Sequence, residues 1–274
     1  MVEGKSNRET ALQLAGGPTA LVTYGGLRLL TDPTFDPPGD YERGPTILRK
    51  LAGPAIPADR IGPVDAVLLS HDHHADNLDR SGREFLSRAD RVLTTRLGAE
   101  RLGGNAVGLE PYETVELERP EGSPVRVTAV PAEHGDAEVA PRNGPVIGFV
   151  LQAAEAPSLY VSGDNASVDV VQGIVDTLGP IPVAVLFTGA ANVPEVHGDV
   201  RVTLNAADAV RAARILGAEA VIPIHNHGWR HFTETADDVR DAFARAGVSG
   251  PLLVPAPGET VSVTRVTGSR AERR

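Results

Sequence analysis

The sequence predicts one α/β domain spanning residues 1–274. Apolar runs of strand length alternate along it with stretches whose apolar residues recur at helical spacing. Hydrophobic content is 41% against 23% charged residues, an ordinary globular balance for a chain long enough to bury a sizeable core. No internal repeat and no shift of composition marks a linker between two domains. Aromatic residues make up only 4%, so the core has to be packed mainly with Ala, Val and Leu.

Taken in order, Thr19 to Tyr24 and Leu27 to Thr31 are β-like runs separated by Gly25-Gly26. Two glycines suit a tight hairpin because they accept the positive φ angles such turns require. Residues 33–63 carry seven prolines and four glycines among charges, which predicts an irregular surface loop of the kind that covers active sites. Leu51 and Ile56 are the residues expected to pin it down. Ala66 to Leu69 reads as a buried strand, and Val125 to Val130, Val146 to Leu151, Leu159 to Ser162, Val183 to Phe187 and Ala220 to Ile224 as further strands. Thr203 to Leu216 has helical spacing at Leu204, Ala207, Val210 and Ile215, and Gly217 stops it. Thr235 and Asp238 form a capping box ahead of Val239 and Phe243, with Gly247 as terminator. Leu252 to Val254 and Thr260 to Val266 are β-like, and residues 267–274 form a charged tail.

Composition also bounds the function. The absence of cysteine excludes disulfides, thiolate metal sites and cysteine nucleophiles, so any metal is held by nitrogen and oxygen. The first ten residues are polar and no run approaches the roughly 18 apolar residues needed to span a membrane, which leads us to expect a cytoplasmic protein free of the membrane. A net charge of -10 argues against a broad nucleic-acid-binding surface and favours a small-molecule substrate. A homo-oligomer remains compatible with the composition.

The densest chemical signal is Ser70-His71-Asp72-His73-His74-Ala75-Asp76-Asn77-Leu78-Asp79, with three histidines and three aspartates in ten positions directly after a predicted strand. Imidazole and carboxylate are the pair that zinc, manganese and iron accept. Other ligand-type residues follow other strands: His134 in Pro131-Ala132-Glu133-His134-Gly135, Asp164 in Ser162-Gly163-Asp164-Asn165, and His225 and His227 in Ile224-His225-Asn226-His227-Gly228-Trp229. Singly, each has a plain alternative. Asp164 sits in turn chemistry, His134 fits a simple turn, and a lone histidine such as His197 fits a surface or hydrogen-bonded role. Four strand ends on one edge would instead make a single constellation.

On these motifs the sequence resembles the metallo-β-lactamase superfamily, and the resemblance covers nearly the whole chain. Leu27-Arg28-Leu29-Leu30-Thr31-Asp32-Pro33 resembles the early hairpin of the branch with ascorbate-lactonase-like and phospholipase-D-like hydrolases. The resemblance implies an αββα sandwich of two mixed sheets flanked by helices, with a metal site along one edge. The family signature is His-x-His-x-Asp-His followed by a later His, an Asp and a final His. His134, Asp164 and His225 match the last three. The first motif departs from the pattern. Taking His71 and His73 leaves Ala75 at the Asp position and Asp76 at the His position. One inserted residue gives instead His71, His74 and Asp76, with Asn77 in place of the final His.

The ligand set the resemblance implies is His71, one of His73 and His74, and His134 around a first ion, with Asp164 bridging and Asp76 and His225 around a second. His227 would compensate for Asn77. The expected cofactor is Zn2+, one or two ions, with Mn2+ or iron as alternatives. Such ions, about 3.5–4 Å apart when paired, lower the pKa of a bound water so that hydroxide attacks an ester, lactone, amide or phosphodiester. Asp76 would orient that water, and His227 or His231 would protonate the leaving group. Asp72 and Asp79 are expected to orient ligand histidines. Competing readings are an iron-dependent redox enzyme on the same scaffold and a non-catalytic binding protein with a degenerate metal site.

Overall fold

The computed structural model describes residues 10–44, 46–248 and 252–263. The chain opens with antiparallel strands β1 (Thr10–Gly16), β2 (Thr19–Tyr24) and β3 (Leu27–Thr31). A separate hairpin, β4 (Gly39–Arg43) with β5 (Thr46–Lys50), and a helical turn, α1 (Ala58–Ile61), come next. Strand and helix then alternate through β6 (Val64–Leu68), α2 (Arg80–Phe85), β7 (Ala89–Thr95), α3 (Arg96–Leu102) and β8 (Ala106–Leu109). Antiparallel β9 (Thr114–Leu117), β10 (Val125–Ala132), β11 (Val146–Ala153) and β12 (Ala156–Val161) follow, with the short α4 (Ala140–Asn143) between β10 and β11. The last part runs α5 (Val168–Leu178), β13 (Val183–Phe187), α6 (Pro194–His197), α7 (Ala206–Leu216), β14 (Ala220–Ile224), α8 (Ala236–Ala246) and β15 (Thr260–Val263).

The strands assemble into a seven-stranded sheet ordered β15-β1-β2-β3-β6-β7-β8 and a six-stranded sheet ordered β14-β13-β12-β11-β10-β9. Both are mixed: β3, β6, β7 and β8 are mutually parallel in the first, and β12, β13 and β14 in the second. Side-chain alternation explains why the sheets stack. In β13, Val183, Val185 and Phe187 face the other sheet, while Ala184 and Leu186 face the helices. Both faces are therefore buried, and the strand reads as one apolar run. The inter-sheet core joins Leu12, Leu29 and Leu68 to Phe149, Val161 and Phe187. On the outer face of the six-stranded sheet lie Ile174 of α5, Val210 and Leu216 of α7, and Phe243 of α8. Ile61 and Phe85 cover the other sheet with Leu30, Val67 and Val92. The layers are αββα, as the resemblance implied.

Several boundaries follow local chemistry. Gly25 and Gly26 take φ 57 and 88 between β2 and β3. The helix expected from Thr203 starts three residues later, because Asn205 caps it by accepting the Asp208 N–H at 2.7 Å. Thr235 and Asp238 make the capping box of α8, and Gly217 and Gly247 end their helices in left-handed conformation. Residues 33–63 require a correction. They contain the β4–β5 hairpin and α1, held by buried Tyr41, Leu48 and Lys50; Ile56 packs against the cluster of Leu30, Val67 and Phe85 as expected, whereas Leu51 is 55% exposed. Leu252 makes only an isolated bridge to Val221, so no strand forms over Leu252 to Val254. The remainder of the last predicted strand and the tail at 267–274 lie outside the described residues. Among the described residues no helix is long and apolar enough to cross a membrane.

Candidate metal centre

The C-terminal ends of β6, β10, β12 and β14 deliver the ligand-type residues to one edge of the sandwich. Two groups result. His71, His74, His134 and Asp164 each offer an atom, all within 4.8 Å of one another, and so do Asp76, Asp164 and His225. Asp164 belongs to both. His71 Nε2 and His74 Nδ1 face each other at 2.9 Å, and Asp164 Oδ2 lies 4.0 Å from His71 Nε2. In the second group His225 Nδ1 is 3.6 Å from Asp164 Oδ1, and His225 Nε2 is 3.6 Å from Asp76 Oδ2. Every one of these residues is buried.

The residues present fit a cation. Buried polar atoms normally find partners, yet His134 Nε2, both ring nitrogens of His225 and Asp76 Oδ1 have none. His134 Nε2, Asp76 Oδ1 and one of the two His225 ring nitrogens are lone-pair atoms, which a metal ion would satisfy. Charge agrees with that reading. Burial pushes Asp32 up to about 7, with the Asp76 charge adding to it against hydrogen bonds from Ser70 and Asn77. Burial and the charges of Asp76 and Asp32 raise Asp164 well above the usual carboxylate range. Burial works the same way on Asp76, but the adjoining His231 and His225 outweigh it and hold that carboxyl well below the range. Burial drives His71 and His74 far below the ordinary imidazole value and His134 to about 3, which keeps the three rings neutral.

Backbone geometry presents the ligands. Asp164 follows Gly163, whose φ is +56 and whose missing Cβ would lie 2.7 Å from the Ile147 carbonyl oxygen. His225 itself adopts φ 56, a costly conformation for a histidine. Gly189 makes room for it, because a Cβ there would stand 2.3 Å from the His225 carbonyl oxygen. Supporting hydrogen bonds fix the rings. Ser70 Oγ is 2.9 Å from His71 Nδ1, and Asp32 accepts from both the Ser70 N–H at 2.6 Å and its hydroxyl at 2.7 Å. His134 Nδ1 donates to the Val202 carbonyl at 2.6 Å, leaving Nε2 for the centre.

Some predicted site residues are placed elsewhere. His73 stands outside both groups. Its ring packs edge-on against those of His71 and His74, but its nitrogens face other partners, Nε2 2.5 Å from the Asn143 carbonyl oxygen and Nδ1 3.7 Å from Asp72. His227 is also outside, its Nε2 accepting the Gly17 N–H at 3.3 Å. His231 lies beside the second group, with Nε2 2.9 Å from Asp76 Oδ2. Asn77 turns its amide to Asp164 Oδ1 at 3.2 Å and to Asp32 Oδ2 at 3.1 Å. The orienting role expected of Asp72 and Asp79 falls instead to Asp32. Asp72 is drawn off by Arg101 and Arg83, and Asp79 caps α2 and pairs with Lys50 at 2.8 Å. Asp32 follows β3 as the other ligand-type residues follow their strands, and that position was its signal in the sequence.

A family model described as a beta-lactamase superfamily domain matches residues 27–226, which include every residue of the two ligand groups. The chain belongs to the metallo-β-lactamase superfamily. Among relatives of this superfamily member, an uncharacterized protein of Mycobacterium tuberculosis is 28% identical over 275 residues, covering 93% of this chain and 69% of the relative. A metal-dependent hydrolase of Myxococcus xanthus is 25% identical over 228 residues, covering 78% and 74%. Among solved structures, an isothiocyanate hydrolase from Delia radicum gut bacteria superposes with a TM-score of 0.77 at 20% identity, covering 93% of this chain and 99% of its own. The diiron β-hydroxylase CmlA from Streptomyces venezuelae gives 0.65 at 16% identity, covering 93% and 54%. At those identities the structures speak for a shared fold.

Proposed function

We infer that this superfamily member is a metal-dependent hydrolase acting on a small molecule with an ester, lactone, amide or phosphodiester bond. The observation that carries the reading is the pair of buried ligand groups sharing Asp164, with unpartnered lone pairs turned to the centre. His71, His74, His134 and Asp164 would hold one divalent ion, and Asp76, Asp164 and His225 a second. The nitrogen and oxygen donors suit zinc, manganese or iron. An ion bound there supplies Lewis acidity toward the scissile group and lowers the pKa of a bound water toward neutrality.

The chain's own residues supply the proton chemistry. Asp76, held ionised, is the acceptor for a proton from an attacking water. Its Oδ2 accepts from His231 Nε2–H at 2.9 Å. His231 borders a hollow of about 310 Å³ between β5 and residues 192–195; entering as the imidazolium, it would give a proton to the leaving group and then be recharged by the proton Asp76 has taken from water. The placement of His227 against Gly17 favours His231 for this role. The Myxococcus relative, named for metal-dependent hydrolysis, supports the reaction class.

Elemental analysis of the purified protein, with a panel of chromogenic esters, lactones and phosphodiesters, tests the reading. Bound divalent metal is expected, with turnover that chelation abolishes and metal restores. His134→Ala and Asp164→Ala should each lose turnover while keeping a native circular dichroism spectrum. Full turnover in either variant, or in chelated protein, would overturn it. Iron with oxygen-dependent consumption of a substrate would point to the redox alternative instead.

A further inference from the structure

The centre is approached through a hollow of about 410 Å³ lined by Tyr41, Arg43, Leu48, His74 and Arg80 among others. Arg43, at the tip of β4, reaches from the hairpin to the ligand histidines. Its Nη2 donates to His74 Nε2 at 3.0 Å and to Asn143 Oδ1 at 3.1 Å. The other cations nearby are engaged: Lys50 with Asp79, Arg49 with Asp40, Arg101 with Asp72, and Arg80 stacked 5.0 Å over the Tyr41 ring. Among the described residues, the partners of Arg43 are an imidazole and an amide, with no carboxylate in ion-pair contact. A half-buried guanidinium is costly to leave without an anion. On a chain of net charge -10, holding one over a reaction centre calls for a reason.

We propose that Arg43 is the specificity-determining residue of this site, binding an oxyanion (carboxylate or phosphate) carried by the substrate beside its scissile bond. The proposal rests on the hydrolase reading above. Asn143 steadies the guanidinium, and is itself fixed by donating to the His134 carbonyl at 2.8 Å while His197 Nε2 lies 2.9 Å from its Oδ1. Among the described residues Nη1 and Nε make no hydrogen bond, so once Nη2 gives up His74 it can pair with one of them in a two-point contact with an oxyanion. The contact to His74 is of a kind that yields. Arginine has no acceptor, so His74 Nε2 accepts and its proton sits on Nδ1, facing His71. Were His74 to hold a cation through Nδ1, its proton would sit on Nε2, which could no longer accept from Arg43. Arg43 would then keep Asn143 and have its other donors for the hollow.

The test uses p-nitrophenyl butyrate and its counterparts ending in a carboxylate or a phosphate, with wild type, Arg43→Gln and Arg43→Lys. Wild type should prefer an anionic ester in kcat/KM by roughly ten- to a hundredfold, the strength of a charge-assisted hydrogen bond. Arg43→Gln should collapse that ratio toward one at unchanged metal content, and Arg43→Lys should restore part of it. Which anionic ester shows the larger ratio identifies the oxyanion. A ratio near one in wild type, or unchanged in Arg43→Gln, overturns the proposal. Calorimetric titration of zinc-loaded protein with glutarate and with inorganic phosphate reads the site without turnover. Binding of either anion that weakens at least about tenfold in Arg43→Gln supports it, and binding of both anions equally by wild type and Arg43→Gln overturns it. Arg43-dependent anion binding with no turnover of any ester, lactone, amide or phosphodiester would sink the hydrolase reading and leave the Arg43 assignment standing. Turnover indifferent to Arg43 would do the reverse.

Discussion

At the scale of single residues, His73 and His74 are neighbours with opposite fates. His74 is buried and turns Nδ1 toward His71, while His73 is exposed and reaches to the Asn143 backbone. His74→Ala should therefore lower bound metal, read as ions per chain by elemental analysis, whereas His73→Ala should keep the wild-type content. The opposite pattern would move the ligand to His73 and restore the register that puts Asp76 in a histidine's place. The sequence displayed the ligand-rich segment but left that choice open, because two adjacent side chains after a strand have no fixed periodicity to aim them. The burial of Asp76 beside His225 and the turn of Asn77 toward Asp164 depend on contacts more than 80 residues apart in the chain, beyond the reach of local spacing. Asp32 was visible as a residue. Its role appeared only once β3 and β6 were seen to lie side by side, which brings it under Ser70.

At the scale of elements, the β4–β5 hairpin forms the wall that carries Arg43, and a buried ion pair fastens it. Lys50 Nζ meets Asp79 Oδ2 at 2.8 Å, and the same carboxylate accepts from the Phe35, Asp36 and Gly82 N–H groups. Lys50→Met would leave Asp79 buried without its cation, at a cost of about 3–5 kcal/mol in unfolding free energy. The backbone donors that Asp79 retains favour the lower end. Urea denaturation measures it, and a loss below about 1 kcal/mol would mean that the pair does not fasten the hairpin. This element was hidden in the sequence for physical reasons. Its strands bury Tyr41, Leu48 and Lys50 among exposed polar residues, and an inward lysine breaks the apolar alternation that marks a strand. Strands such as β13 and β14 were legible to the residue because both of their faces are covered and every position is apolar. The capping box of α8 was legible for the complementary reason that capping is a local hydrogen-bond pattern.

At the scale of the whole molecule, the centre joins the two sheets, since His71, His74 and Asp76 follow a strand of one and His134, Asp164 and His225 follow strands of the other. Occupying it should stabilise the entire sandwich, by about 2.7 kcal/mol at a hundredfold excess of metal over Kd. For a chain of this size that is a rise in Tm of roughly 5–10 °C. The rise should depend on pH with a definite sign. Asp32 is raised to about 7 from 3.8, so in metal-free protein its contribution is fully present at low pH and is lost as pH rises through 7. Asp164, raised in the same direction, adds to that loss. His134 is lowered to about 3 from 6.5, so its neutral form stabilises the fold above 6.5 and that contribution fades as pH falls toward 3. A cation relieves the first penalty by accepting ionised carboxylates, and it competes with protons for the imidazoles. Binding accordingly releases protons and strengthens with pH. The gap in Tm between metal-loaded and chelated protein should widen from pH 5 to about pH 7 and level off above it. Calorimetric scans across that range measure it. A gap independent of pH would mean that these buried carboxylates and histidines do not share the bound ion.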